Sequence, residues 1–154
     1  SLGTEILSGL NLYAGGSVIT VADGASSGAE DKYEGVGAIT YALGPVEIGY
    51  MVSGLYSGAK TGVHTYKNTG FGVAFNVNDD LSVSYGEYDS RKAAGEDSDG
   101  MGGPQDRIVE VTSFQVAYTM GGASFRIADV KAENILFSAG DNKGATIVSM
   151  GLAF

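Results

Sequence analysis

Among the charged residues inside stretches that alternate like strands, six are the first candidates for function. They are Glu34, Glu47, Arg126, Asp129, Lys131 and Glu133. Each is expected on the parity that carries Gly, Ala and Ser rather than the bulky side chains. Ionic groups along a water-filled wall bias the passage of ions. Four acids and two bases leave this wall at −2, a slight preference for cations. A second candidate is the run Gly95-Glu96-Asp97-Ser98-Asp99-Gly100. Glu96, Asp97 and Asp99 offer the oxygen ligands that Ca²⁺ takes, without the twelve-residue spacing of a dedicated calcium loop. A solvated acidic loop is the competing reading. His64 is the single histidine and falls in a polar loop, where a solvated side chain is expected.

Catalysis finds little to work with. The chain has no cysteine, one histidine and no Gly-x-Ser-x-Gly elbow. Gly35-Val36-Gly37 lies within a strand-like run, not before a helix, so it is no phosphate loop. No enzyme is expected. A net charge of −9 also disfavours nucleic acid, since phosphate binding needs a basic surface.

The elements that would hold these residues are strands. The 154 residues contain no run of ~18 apolar residues such as a spanning helix needs. A membrane barrel escapes that requirement, because only every second residue must be apolar. Alternation of period two runs through most of the chain. Expected strands cover Leu10–Val21, Lys32–Leu43, Val46–Tyr56, Tyr66–Val77, Leu81–Gly86, Val109–Met120, Ala123–Ile135 and Gly144–Phe154. The last alternates Thr146, Val148, Met150, Leu152 and Phe154 with residues that are small apart from Ile147. Glycine is abundant, 25 against 2 Pro, and much of it sits inside strands. There it lets a sheet curve or leaves one face unobstructed.

Tyr33, Tyr41, Tyr50, Tyr56, Phe71, Phe75, Tyr118, Phe125 and Phe154 share the bulky parity. They read as girdles at two membrane interfaces, with the core of a soluble β-sandwich as the alternative. Connections alternate in length. Those near residues 44, 79 and 121 are tight; those at 23–31, 57–64, 89–107 and 136–143 are longer. That is the pattern of an up-and-down barrel with trimmed turns on one side and free loops on the other. In the seventh strand Phe125 and Ile127 fall out of phase with Val130 and Ala132. A β-bulge near Ala128-Asp129 is expected to restore it, placing Arg126, Asp129, Lys131 and Glu133 together on the small-residue face.

With these pieces in place, the chain resembles the C-terminal half of a Gram-negative general porin of the α-proteobacterial kind. The likeness rests on Gly70-Phe71-Gly72-Val73-Ala74-Phe75-Asn76, Leu81-Ser82-Val83-Ser84-Tyr85-Gly86, Ser113-Phe114-Gln115-Val116-Ala117-Tyr118 and the closing Ser149-Met150-Gly151-Leu152-Ala153-Phe154. The resemblance implies an all-β, antiparallel, up-and-down transmembrane β-barrel of 16 strands, of which about eight are visible here. It implies a homotrimeric outer-membrane channel for passive diffusion of ions and small hydrophilic solutes, surrounded by lipid. Such porins are about twice this length. Their constriction loop folds inward from the first half and has no counterpart in these residues. The chain starts at Ser1 with no signal peptide in view, as a processed product or a piece of a longer protein does. Two other readings stand beside this one. One is a complete eight-stranded outer-membrane barrel serving as anchor, adhesin or phage receptor. The other is a soluble barrel holding a small apolar ligand.

Overall fold

The computed structural model describes residues 8–20, 30–58, 63–94 and 107–152, and they form one antiparallel sheet. Its strands are β1 (Leu10–Ile19), β2 (Lys32–Leu43), β3 (Val46–Tyr56), β4 (Val63–Asn76), β5 (Leu81–Ala94), β6 (Arg107–Met120), β7 (Ala123–Glu133) and β8 (Lys143–Leu152). Each strand pairs with its neighbours in sequence, giving the order β1 to β8. The expected eight-stranded up-and-down meander is therefore present. β1 and β8 are the two edges and do not pair with each other, so the sheet is open.

The tight turns follow from their residues. Gly44 and Gly121 take φ of 58° and 59°, a region that side chains with a Cβ avoid. Asn78 closes the β4–β5 turn with its side chain, Oδ1 accepting from the N–H groups of Asp80 and Leu81 at 2.9 Å each. These three turns share one end of the sheet, and the longer connections share the other.

Two strand boundaries differ from expectation. β4 begins at Val63, so His64 lies in a strand, at a register shift between Val63 and Thr65, and not in a loop. β5 runs on to Ala94, well past Gly86. Its second half, Glu87-Tyr88-Asp89-Ser90-Arg91-Lys92, alternates polar with polar and carries no contrast for a period to show.

The register also removes the expected bulge. β6 pairs with β7 without interruption from Glu110↔Glu133 to Met120↔Ala123, and β7 with β8 from Ala123↔Leu152 to Ala132↔Lys143. The change along β7 is one of chemistry on a single face, not of phase. Asp129, Lys131 and Glu133 stand on the same face as Phe125 and Ile127, opposite Phe114, Thr112 and Glu110 of β6.

Residues paired across strands share a face, which divides the sheet into a bulky side and a small side. Every aromatic assigned to the girdle that lies among the described residues is on the bulky side. The pairs Tyr33↔Tyr56, Tyr50↔Phe71 and Tyr118↔Phe125 are direct neighbours there. Phe154 lies outside the described residues. The bulky side is not packed against anything. Ala128, 7% exposed, is the only buried apolar side chain among the described residues. Leu43 is 65% exposed and Val148 72%. Exposed apolar patches of this extent mark surfaces that another protein, a ligand or a lipid phase covers.

Candidate functional site

The small-residue side is the candidate site, and its smoothness is built by register. Gly49, Gly72 and Gly86 lie abreast on β3, β4 and β5. A shallow hollow of about 350 Å³ runs over them, bordered by Glu47, Ala74, Ser84 and Gln115. A second hollow, of about 450 Å³, lies toward the long-loop end among Ser17, Glu34, Ser53 and Asn68. Polar side chains on this side hold one another across strands. The Ser17 hydroxyl donates to Glu34 at 2.7 Å. Ser90 donates to Asn68 Oδ1 at 2.7 Å, and Asn68 Nδ2 donates to Ser53 at 3.1 Å. That chain spans β3, β4 and β5 and keeps three small, half-buried polar groups at fixed positions on this side.

Of the six charged candidates, the structure brings Glu34, Glu47 and Arg126 onto this side. Asp129, Lys131 and Glu133 go to the other. The correction has a physical reason. The bulky side was expected to be apolar from end to end, whereas its long-loop half is charged on β4 to β7. Lys67, Glu87, Asp89, Arg91 and Glu110 stand there beside the three displaced residues.

Sequence reasoning also missed residues that do face the small side. Lys32 pairs with Ile19, Lys143 with Ala132, and Lys92 follows Ser90 on the same parity of β5. Among the described side chains the small side carries four bases (Lys32, Lys92, Arg126, Lys143) and two acids (Glu34, Glu47). Its net charge is thus +2, opposite in sign to the −2 expected. Parity with Glu34 was enough to find Lys32. Lys92 was hidden because β5 was expected to stop early.

The calcium candidates Glu96, Asp97 and Asp99 lie outside the described residues. Among the described residues no group of three or more His, Asp or Glu side chains is placed to hold a metal ion. No helix there is long and apolar enough to cross a membrane, which does not bear on a β-barrel. Comparison with protein-family models, with curated proteins and with solved structures gives no match.

Proposed function

We propose that this sheet is part of the wall of a membrane-spanning β-barrel, with the bulky side toward lipid. One observation carries the reading: the apolar band on that side runs obliquely to the strands. On β1 to β3 it has no charge along its whole length. On β4 it reaches up only to Phe71, on β5 to Tyr85, on β6 to Phe114, on β7 to Ile127 and on β8 to Val148. Its lower border falls in the same direction, from Val46 on β3 to Leu152 on β8.

A slope of this kind is what the tilted strands of a barrel wall produce, and it supports the reading. The band's centre moves from Tyr50 on β3 to Met150 on β8, which the register places three same-face steps lower. At ~3.3 Å per residue and ~4.8 Å per strand, that is roughly 20 Å of fall over roughly 24 Å of width, or about 40°. Barrel strands tilt by roughly 35–45° from the axis. β3 spans Val46 to Tyr56 without a charge on this side. Tilted by ~40°, those residues cover about 25 Å of height, the thickness of an outer-membrane apolar band.

The barrel is, on this proposal, a general porin, a water-filled channel in a bacterial outer membrane for passive diffusion of ions and small hydrophilic solutes. An eight-stranded barrel has an interior just filled by side chains, while ~16 strands leave an aqueous lumen. A lumen side with Gly49, Gly72 and Gly86 abreast fits the wider one. Further strands then join the free edges of β1 and β8, and trimeric assembly follows the same reading. Planar-bilayer recording tests it. Stepwise conductance on the nanosiemens scale is expected. A protein that folds in detergent but never conducts would instead be the small anchoring barrel. One that stays monodisperse without detergent would refute the membrane reading altogether.

A further inference from the structure

The connection between β7 and β8 turns back over the small-residue side of the sheet. Its 3-10 turn, Ile135–Phe137, crosses β6 and reaches β5 and β4. The Phe137 ring lies 6.1 Å from the ring of Tyr66 on β4, and the Lys92 ammonium on β5 stands 5.5 Å from the Phe137 centroid. An ammonium at that distance over an aromatic face is held by the ring's negative quadrupole.

The loop is also tied down along its length. The Asn134 side-chain amide donates to the Ile108 carbonyl of β6 at 3.1 Å, and its Oδ1 accepts from the Gly140 N–H at 3.2 Å. The Asn134 N–H donates to Asn142 Oδ1 at 3.1 Å, and the Ile135 N–H to the Asp141 carbonyl at 2.9 Å. Asn134, Leu136 and Phe137 have φ of 54°, 57° and 60°. Such backbone is unfavourable for residues with a Cβ and persists where surrounding contacts impose it.

We propose that this loop narrows the passage and that Lys92, fixed under Phe137, is its selectivity-determining charge, favouring small anions. The proposal rests on the channel reading above. Lys32 and Lys143 lie at the same end of the small side as Lys92; of the described acids there, Glu34 stands on a strand, Asp31 and Asp141 lie in the connections, and Glu30 accepts from the bulky-side Tyr56 hydroxyl at 2.6 Å. A solute entering from this end meets Lys92 before the wider wall. Phe137 is a positioning residue: it touches no solute but holds the ammonium over the opening.

Reversal potentials across a KCl gradient test the charge, and single-channel conductance tests the narrowing. Native channels are expected to prefer chloride over potassium. Lys92→Glu should lower the chloride-to-potassium permeability ratio by about twofold or more, and Lys92→Gln by less. Phe137→Ala should shift the ratio in the same direction. Replacing residues 135–140 by two glycines should raise conductance. A native pore that prefers cations overturns the proposal. So do an unchanged ratio in Lys92→Glu and an unchanged conductance after shortening, while the channel reading survives all three. No conductance from the native protein removes both. The loop's position has its own readout, since the chain has no cysteine. Tyr66→Cys with Phe137→Cys should be bridged by a short bifunctional thiol reagent, and failure to do so in folded protein also overturns the proposal.

Discussion

The bulky side of the sheet differs between its two halves. On β1 to β3 it bears no charged residue; on β4 to β7 it bears eight, all toward the long loops. Read strand by strand, the second half looks like a poorer membrane surface. Read along the slope, and on the proposed tilt, the two halves are the same surface at different heights. The row Leu12, Ile39, Tyr50, Phe71, Glu87, Thr112, Lys131, Gly144 shows this directly. Its residues on the first four strands are apolar, and Glu87, Thr112 and Lys131 on the next three are polar, as expected if the strands tilt as proposed. Composition along one strand therefore says little about where an apolar band lies, and register across strands says much.

The sharpest way to break this comparison is to place one charge at two points of that row. Tyr50→Arg puts a guanidinium at the centre of the band, and Thr112→Arg puts one above it. If the band is lipid-facing, the first should cost about 2–4 kcal/mol of folding free energy and the second at most about 1. Urea titration of folding in lipid vesicles measures both. Similar losses at the two positions would mean that the slope is not a depth. Tryptophan sharpens the same contrast, because the chain has none. Tyr50→Trp and Met150→Trp should be quenched alike by brominated acyl chains, and Thr112→Trp less.

Much of the fold was legible because the relevant signal is local. Phe71, Val73 and Phe75 alternating with Gly70, Gly72 and Ala74 mark a strand whatever surrounds it. Gly44-Pro45 and Asn78-Asp79-Asp80 mark turns for the same reason. What failed depended on neighbours. Asp129, Lys131 and Glu133 looked like a phase error in β7 because β7 was read alone. Beside Glu110, Thr112 and Glu87 they are one polar margin. Lys92 was lost for a related reason: a polar strand half shows no period, and only pairing with β4 and β6 declares it a strand. Phe137 had no local signal at all, since its partners are 71 and 45 residues earlier in the chain, at Tyr66 and Lys92.

A smaller effect is expected where the loop meets the small side. Phe137→Ala removes one aromatic contact and one cation–π contact at a partly exposed site. The two together are worth about 1–2 kcal/mol. Tyr66→Ala in the Phe137→Ala background should then cost less than Tyr66→Ala alone, because the pair shares its energy. If the two losses simply add, the ring contact contributes nothing to stability and the loop is held by Asn134 and the Lys92–Phe137 contact.

The smallest and most discriminating change compares two residues of that loop with nearly the same backbone. Leu136 has φ 57° and is 85% exposed, so it has left-handed strain and almost no burial to lose. Leu136→Gly relieves about 1–2 kcal/mol of that strain. Glycine's greater freedom in the unfolded chain offsets roughly 0.5–1 of it. A net gain of about 0.5 kcal/mol is expected from those two figures. Asn134 has φ 54°, yet Asn134→Gly should destabilise. Asparagine tolerates this region with little strain, and the substitution removes the side-chain bonds to the Ile108 carbonyl and the Gly140 N–H. Each is worth about 1 kcal/mol. Opposite signs at two like backbone positions would show that side-chain anchoring, not the turn's own preference, lays this loop over the sheet. A loss at both positions would mean that Leu136 grips something, and the loop would then need a different account.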